Sequence, residues 1–231
     1  MNFKEYEEKE KARTKINIAH LEKGVEFVDI RAAYIDEGVE IGKGTVIYPC
    51  VTIEGNVKIG ENCIIGQNTR IVDSTVGDNT EIQSSVVIES KIGNGATIGP
   101  FAHIRPDSDI GGKCKVGAFV EVKNSKMSDG SKTPHLAYVG DADIGSGVNL
   151  GCGVIFVNYN GSQKFRSVVK DGAFVGCNAN IISPVVIDEG AYIAAGSTVT
   201  EDVPADSLYI SREKGRIIGG WPSRKEIFKK K

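Results

Sequence analysis

Residues 41–71 read I-G-K-G-T-V-I-Y-P-C-V-T-I-E-G-N-V-K-I-G-E-N-C-I-I-G-Q-N-T-R-I, and within them Ile41, Ile47, Ile53, Ile59, Ile65 and Ile71 recur every sixth residue. A six-residue beat fits neither the 3.6-residue helical turn nor an ordinary two-residue strand alternation. It points to a solenoid in which each aliphatic faces inward and stacks on its equivalent one turn away. The residue after the aliphatic is often glycine, as at Gly42, Gly60, Gly66, Gly77, Gly93, Gly99, Gly117, Gly145, Gly151 and Gly176. A tightly wound coil needs little bulk or permissive dihedrals at that place.

Outward from this stretch the beat continues with small slips. It shifts by one to Val76, Ile82 and Ile88, then by two to Ile92, Ile98, Ile104, Ile110, Val116 and Val122. Two larger interruptions follow, expected as insertion loops near residues 124–137 (N-S-K-M-S-D-G-S-K-T-P-H-L-A) and 159–167 (Y-N-G-S-Q-K-F-R-S), both rich in polar and turn-forming residues. Ile144, Leu150 and Phe156 keep time between them, and Val169, Val175, Ile181, Ile187, Ile193 and Val199 come after. Residues 24–204 are thus expected as a coil domain, of roughly eight turns counted from residue 38 at three hexads per turn. Residues 1–23, dense in Glu, Lys and Arg with Ile16, Ile18 and Leu21 near an apolar stripe, read as a short N-terminal α-helix stopped at Gly24. Residues 205–231 read as a tail, closing on a solvated Lys229-Lys230-Lys231 run.

Composition narrows the function. A net charge of -2 in 231 residues argues against broad nucleic-acid or membrane-surface binding, either of which wants a basic face. Cys50, Cys63, Cys114, Cys152 and Cys177 form no C-x-x-C pair. With a charged N-terminus and no run of about 18 apolar residues, the expectation is a cytoplasmic protein with reduced thiols.

The hexad [LIV]-G-x-x-[STAV]-x resembles that of the hexapeptide-repeat acyltransferases. The resemblance implies an all-β fold, a left-handed parallel β-helix, whose hand the usual right-handed crossover rule would not give. It also implies a homotrimer with intersubunit sites.

Five strings sharpen the match: Pro100-Phe101-Ala102-His103-Ile104-Arg105-Pro106; Phe119-Val120-Glu121-Val122-Lys123; Ser131-Lys132-Thr133-Pro134-His135-Leu136-Ala137-Tyr138-Val139-Gly140-Asp141-Ala142; Asn158-Tyr159-Asn160-Gly161; and Lys164-Phe165. In order and spacing they resemble the acetyltransferase domain of the bifunctional bacterial enzymes that make UDP-N-acetylglucosamine. More loosely, the likeness runs from Ile16 to Arg212. It implies acetyl transfer from acetyl-CoA to the amine of glucosamine 1-phosphate, with no metal required.

An ammonium cannot attack a thioester, so a base must take its proton, and imidazole is suited to that near neutral pH. His135 matches the base; on its own, a loop histidine would more often be inconsequential. Glu121 matches an acidic residue able to orient the base or the sugar amine. Arg105, Lys123 and Lys164 match the cationic ligands of the sugar phosphate, and Tyr138 and Asn158 its polar ones. Asn149, Tyr159, Ala195 and Arg212 match acetyl-CoA positions, with a salt bridge in the C-terminal tail as the lesser reading for Arg212. Cys152 stands where a small Ala is expected and Cys177 where Ser is common, a mild change if backbone makes those contacts and a weaker hydrogen bond if a hydroxyl is needed. Neither thiol is expected as a nucleophile, since direct attack by the amine needs no acyl-enzyme.

The bifunctional enzymes carry a nucleotidyltransferase domain before the helix. No G-x-G-x-x-G or Walker-type loop occurs here, so uridylyl transfer is not expected from this chain. The chain reads as a single-function protein or a domain of a longer one, Met1 and the acidic leader favouring the first, with a separate uridyltransferase as a candidate partner. Three other readings compete. A hexapeptide-repeat enzyme for another amino sugar or nucleotide sugar would lack the His135 string together with N-Y-N-G. A coil-based metal-dependent anhydrase needs three histidines around one metal, whereas His20, His103 and His135 are all there are and His20 falls in the helix. A non-catalytic trimeric scaffold would have lost the loop residues.

Overall fold

The computed structural model describes residues 2–219; Met1 and residues 220–231, including the Lys229–Lys231 run, lie outside the described residues. After one helix the chain winds into a left-handed parallel β-helix. Its short strands stack into three parallel sheets of 11, 10 and 9 strands, and every third strand in sequence falls in the same sheet up to the last, Leu208–Tyr209, which comes two strands after its neighbour. The coil therefore has about ten turns rather than eight. It begins at Glu26–Phe27, ahead of residue 38, and the segment 124–137 belongs to it.

That segment is not an insertion. Strands Lys126–Met127 and Lys132–His135 pair with coils on both sides, and Met127 and Thr133 occupy the inward positions at 0% exposure. The inward sequence here is Val122, Met127, Thr133, Val139 and Ile144, all buried. Two of its steps are five residues long, and its polar Thr133 hides the beat. A similar shortening places Val87 inside at 0% exposure and turns Ile88 partly outward. The shortened turns carry small serines, Ser74, Ser90 and Ser125. All three are buried, and each hydroxyl donates to the carbonyl two residues back.

The core is a ladder of aliphatics, with Ile47, Ile53, Ile65, Ile71, Ile82, Ile98, Ile104 and Ile110 at 0% exposure. Each such side chain removed from water contributes about 1.5–3 kcal/mol. A coil burying three of them therefore adds stability only when its neighbour is in place.

Helix α1 (Phe3–Glu22) starts with a capping box in which Asn2 Oδ1 accepts from Glu5 N–H and Glu5 accepts from Asn2 N–H. It ends as expected at Gly24, whose φ of 91° lets Gly24 N–H reach Leu21 O and Val25 N–H reach His20 O. Its docking face differs from the expected apolar stripe. Ile18 and Leu21 are exposed, whereas Asn17 and His20 are buried and Ile16 packs partly on the core. Polar anchoring explains the rotation: Asn17 Nδ2 donates to Ile30 O (2.8 Å) and Ala33 O (3.0 Å), and the Arg13 guanidinium lies 4.6 Å over the Tyr34 ring.

Candidate active site

The corner between the 11-stranded and 10-stranded sheets carries most of the chemistry-bearing residues. Ala118 is in register with His135, and the pairings Lys132 with Asn149, Leu150 with Val175 and Val175 with Ile193 extend that register. His135, Cys152, Cys177 and Ala195 therefore form one column, about 4.8 Å per rung. One residue further on, the backbone closes each rung: Leu136 N–H donates to Ala118 O (2.8 Å), Gly153 to Leu136 O (2.9 Å), Asn178 to Cys152 O (2.7 Å) and Gly196 to Cys177 O (2.8 Å).

His135 and Cys177 are exposed and Cys152 is half-buried. From the tail, Arg212 Nη1 donates to Ala195 O (2.5 Å), so its described contact is the corner rather than a salt bridge. Asn149, in register with Lys132 and Phe174, leads into the same corner from the 11-stranded sheet.

Beside His135 the same corner exposes Phe101, Phe119 and Leu136, each about 60% accessible, at φ of 58°, 59° and 43°. Bulky side chains rarely adopt left-handed backbone. Here the Phe101 and Phe119 rings stack at 5.4 Å, so the turns project an apolar ladder outward.

Around the corner, the outer face of the 10-stranded sheet aligns His103, Glu121 and Tyr138 in one column, with Lys123 in register with Gly140 in the next. Arg105 Nη1 donates to Glu121 Oε1 (2.6 Å), so one carboxylate oxygen of Glu121 is engaged by Arg105. The Tyr138 ring lies over Gly140, where a Cβ would sit 2.5 Å from Tyr138 Cζ. Only glycine leaves that space.

After strand Ile155–Val157 the chain leaves the coil and returns at Ser167. Tyr159 and Lys164 form an antiparallel bridge, Phe165 N–H donates to Asn158 O (2.8 Å), and Asn160 Oδ1 accepts from Ser162 and Gln163 N–H (2.9 Å each). Tyr159 is exposed and its hydroxyl donates to Gly161 O (2.6 Å).

Both ends of this excursion are tied down. Asn158 Nδ2 donates to Asp141 Oδ2 and approaches Tyr138 Oη at 3.4 Å. Arg166 donates to both oxygens of Asp143 (2.6 and 2.7 Å) and to Asn124 O (2.8 Å). The fold brings Lys164 against Lys123, whose hydrogen bond and charge hold the Lys164 ammonium below the usual lysine range; Asp141 and Tyr138 act in the opposite direction. Lys123, Lys164, Tyr138 and Asn158 thus converge, with the Arg105–Glu121 pair on the same sheet face. Asp141, Asn124 and Arg166 also belong to this cluster and were not singled out in the sequence. Their signal is tertiary, apart from the Gly140-Asp141 step inside a quoted string. Among the described residues, no three His, Cys, Asp or Glu side chains are close enough to hold a metal ion, and no helix is long and apolar enough to cross a membrane.

Two family patterns match the chain: one described as GMPPB C-terminal domain over residues 30–104, the other as bacterial transferase hexapeptide (six repeats) over residues 89–124 and 166–201. "Bifunctional protein GlmU" of Clostridioides difficile (strain 630) is 51% identical over 213 residues, which are 92% of this chain and 46% of the relative. The protein of that name from Caldanaerobacter subterraneus subsp. tengcongensis is 53% identical over 209 residues, 90% of this chain and 46% of the relative. The chain spans about half the length of the curated relatives it matches. A solved UDP-N-acetylglucosamine acyltransferase from Campylobacter jejuni covers 77% of this chain and 69% of its own at a TM-score of 0.46 and 16% identity, a likeness too loose to bear on the site. By its repeats, its fold and its similarity over most of its length to one half of the GlmU proteins, the chain belongs to the hexapeptide-repeat acyltransferases.

Proposed function

We propose that the protein is an acetyl-CoA-dependent N-acetyltransferase that converts glucosamine 1-phosphate to N-acetylglucosamine 1-phosphate. The observation that carries this reading is the meeting of two groups of residues. A corner column of His135, Cys152, Cys177 and Ala195 borders a cationic cluster built from Lys123, Lys164, Tyr138 and Asn158. In this account the ammonium groups, with Arg105, hold the phosphate, and Tyr138 and Asn158 hold polar groups of phosphate or sugar. The corner with Asn149, Tyr159 and Arg212 takes acetyl-CoA. Cys152 and Cys177 serve there as small neighbours to the thioester, not as nucleophiles.

His135 Nε2 or Nδ1 removes a proton from the sugar ammonium, and the freed amine attacks the thioester carbonyl. The imidazolium passes that first proton to solvent, the nitrogen of the tetrahedral adduct gives up its second proton to His135, and the adduct collapses to the amide with loss of the CoA thiolate, which receives this second proton from the imidazolium. A backbone N–H serves the developing oxyanion. Glu121, engaged by Arg105, orients the phosphate-binding guanidinium in this reading and leaves one oxygen for the sugar amine. The exposed ladder of Phe101, Phe119 and Leu136 beside His135 supports a subunit contact there, with a homotrimer whose sites lie between copies.

The test is a panel of amino sugars and their phosphates, with release of the CoA thiol as readout, in the absence of UTP and Mg2+. Glucosamine 1-phosphate should be the preferred acceptor. Preference for another amino sugar moves the reading to a different acetyltransferase, and no reaction with any amine supports a scaffold. Activity with glucosamine 1-phosphate leaves open a separate uridyltransferase partner, which a pull-down with that enzyme addresses.

A further inference from the structure

Asp141 is a carboxylate buried to 5% exposure in the turn after Tyr138–Gly140. Both of its oxygens are taken by side-chain amides from different segments: Asn124 Nδ2 donates to Oδ1 (2.5 Å) and Asn158 Nδ2 to Oδ2. Asn158 in turn faces the Tyr138 hydroxyl, and Arg166, which locks the far end of the excursion, donates to the Asn124 carbonyl. One buried anion therefore joins the strand bearing Tyr138, the turn after Lys123 and the excursion bearing Lys164. A buried carboxylate is costly unless hydrogen-bonded, and this one favours the Lys164 ammonium that Lys123 repels.

We infer that Asp141 is the positioning residue of the phosphate side of the site: it fixes Asn158 and supplies the counter-charge that lets Lys123 and Lys164 be held side by side for an anionic ligand. This rests on the reading of that cluster as a sugar-phosphate site.

The charged and titratable groups facing Lys164 are Lys123, Asp141 and Tyr138, and Arg166 faces Asp141. Lys123 lowers the Lys164 ammonium and Asp141 raises it. Removing the carboxylate lowers it further, so the cation is lost at lower pH and phosphate affinity fails earlier as pH rises.

The backbone permits the test. Asp141 has a φ of 50°, and the equivalent turns one, two and three coils away accept Asn124 (44°), Asp107 (62°) and Glu89 (44°). Asp141→Asn and Asp141→Glu are therefore both compatible with the turn.

Initial rates should be measured across the alkaline range for wild type and both variants, varying glucosamine 1-phosphate and acetyl-CoA separately. Asp141→Asn should raise KM for the sugar phosphate about tenfold or more while KM for acetyl-CoA stays within about twofold, and should move the alkaline limb to lower pH. Asp141→Glu should restore the limb. Unchanged KM and limb, or both KM values rising together with a falling Tm and no movement of the limb, would overturn the inference and leave the acetyltransferase reading intact. If wild type turns over no amino sugar, that reading fails instead, and calorimetric titration with inorganic phosphate decides the role of Asp141. Binding by wild type that weakens about tenfold in Asp141→Asn supports it. Equal binding, or none by wild type, refutes it.

Discussion

Gly140→Ala isolates how the Tyr138 ring is held. The glycine is buried and its φ is outside the left-handed region, so its backbone accepts alanine without strain. The added Cβ would lie 2.5 Å from Tyr138 Cζ and 2.6 Å from Cε1. Ordinary carbon contacts are about 3.5–4.0 Å, so the ring must move by about 1 Å. Its hydroxyl is already 3.4 Å from Asn158 Nδ2, and that contact would be lost.

Overpacking of this kind costs about 1–3 kcal/mol. In a chain of this size that is about 2–4 °C in Tm per kcal/mol. A misplacement of 1 Å in a substrate-positioning group costs up to about 100-fold in rate. Thiol-release kinetics should show KM for glucosamine 1-phosphate rising about tenfold or more, within that range, with KM for acetyl-CoA little changed. In a Tyr138→Ala background the ring is absent, and Gly140→Ala should add almost no further loss of Tm. Equal destabilisation in both backgrounds, or wild-type KM in the single variant, would refute the argument.

Three further outcomes follow from burial. Burial, with a smaller effect of Lys23, holds His20 below its usual 6.5, so it stays neutral to lower pH in the folded chain than in the unfolded one. The unfolded chain gains a proton as pH falls below that value, so stability is full above about 6.5 and drains away toward the folded-state pKa. Melting should occur at lower temperature near pH 5.5 than near pH 7.5, and His20→Asn should flatten that difference; an unchanged slope in the variant would exclude His20 as its source. A maleimide should label exposed Cys50 and Cys177 ahead of Cys63 and Cys114, whose thiols burial pushes up, and acetyl-CoA should slow labelling at Cys177, and at its corner neighbour Cys152, but not at Cys50. Protection at Cys50 as well, or at neither, would count against the corner as the acetyl-CoA site. Thr133 is fully buried with a hydroxyl that has no partner, so Thr133→Val should stabilise the chain by about 1–3 kcal/mol, read as a higher Tm; a lower Tm would show that the hydroxyl is satisfied.

The solenoid was legible because Ile, Val and Leu at a fixed period leave few other folds open. It failed to read at 124–137, where Met127 and Thr133 stand inside and two five-residue steps break the count. It also failed on the helix, whose buried face is chosen by the hydrogen bonds of Asn17 to a turn that only the folded chain brings near. At the site, residues inside motif strings could be named in advance. Asn124 and Arg166 could not, because Arg166 acts on Asn124 from 42 positions away through a backbone carbonyl. The register that stacks His135 on Cys152 and Cys177 likewise depends on the 158–166 excursion, which lengthens the second gap to 25 residues against 17 for the first.

The central claim is that His135 takes the proton from the attacking amine. General-base catalysis contributes about 10²–10⁴ in rate, so His135→Ala should cut kcat for CoA release with glucosamine 1-phosphate by about a hundredfold or more. Both KM values should stay within a few-fold of wild type, because the exposed imidazole supports no buried contact. Turnover by the folded variant at close to the wild-type rate would contradict the account.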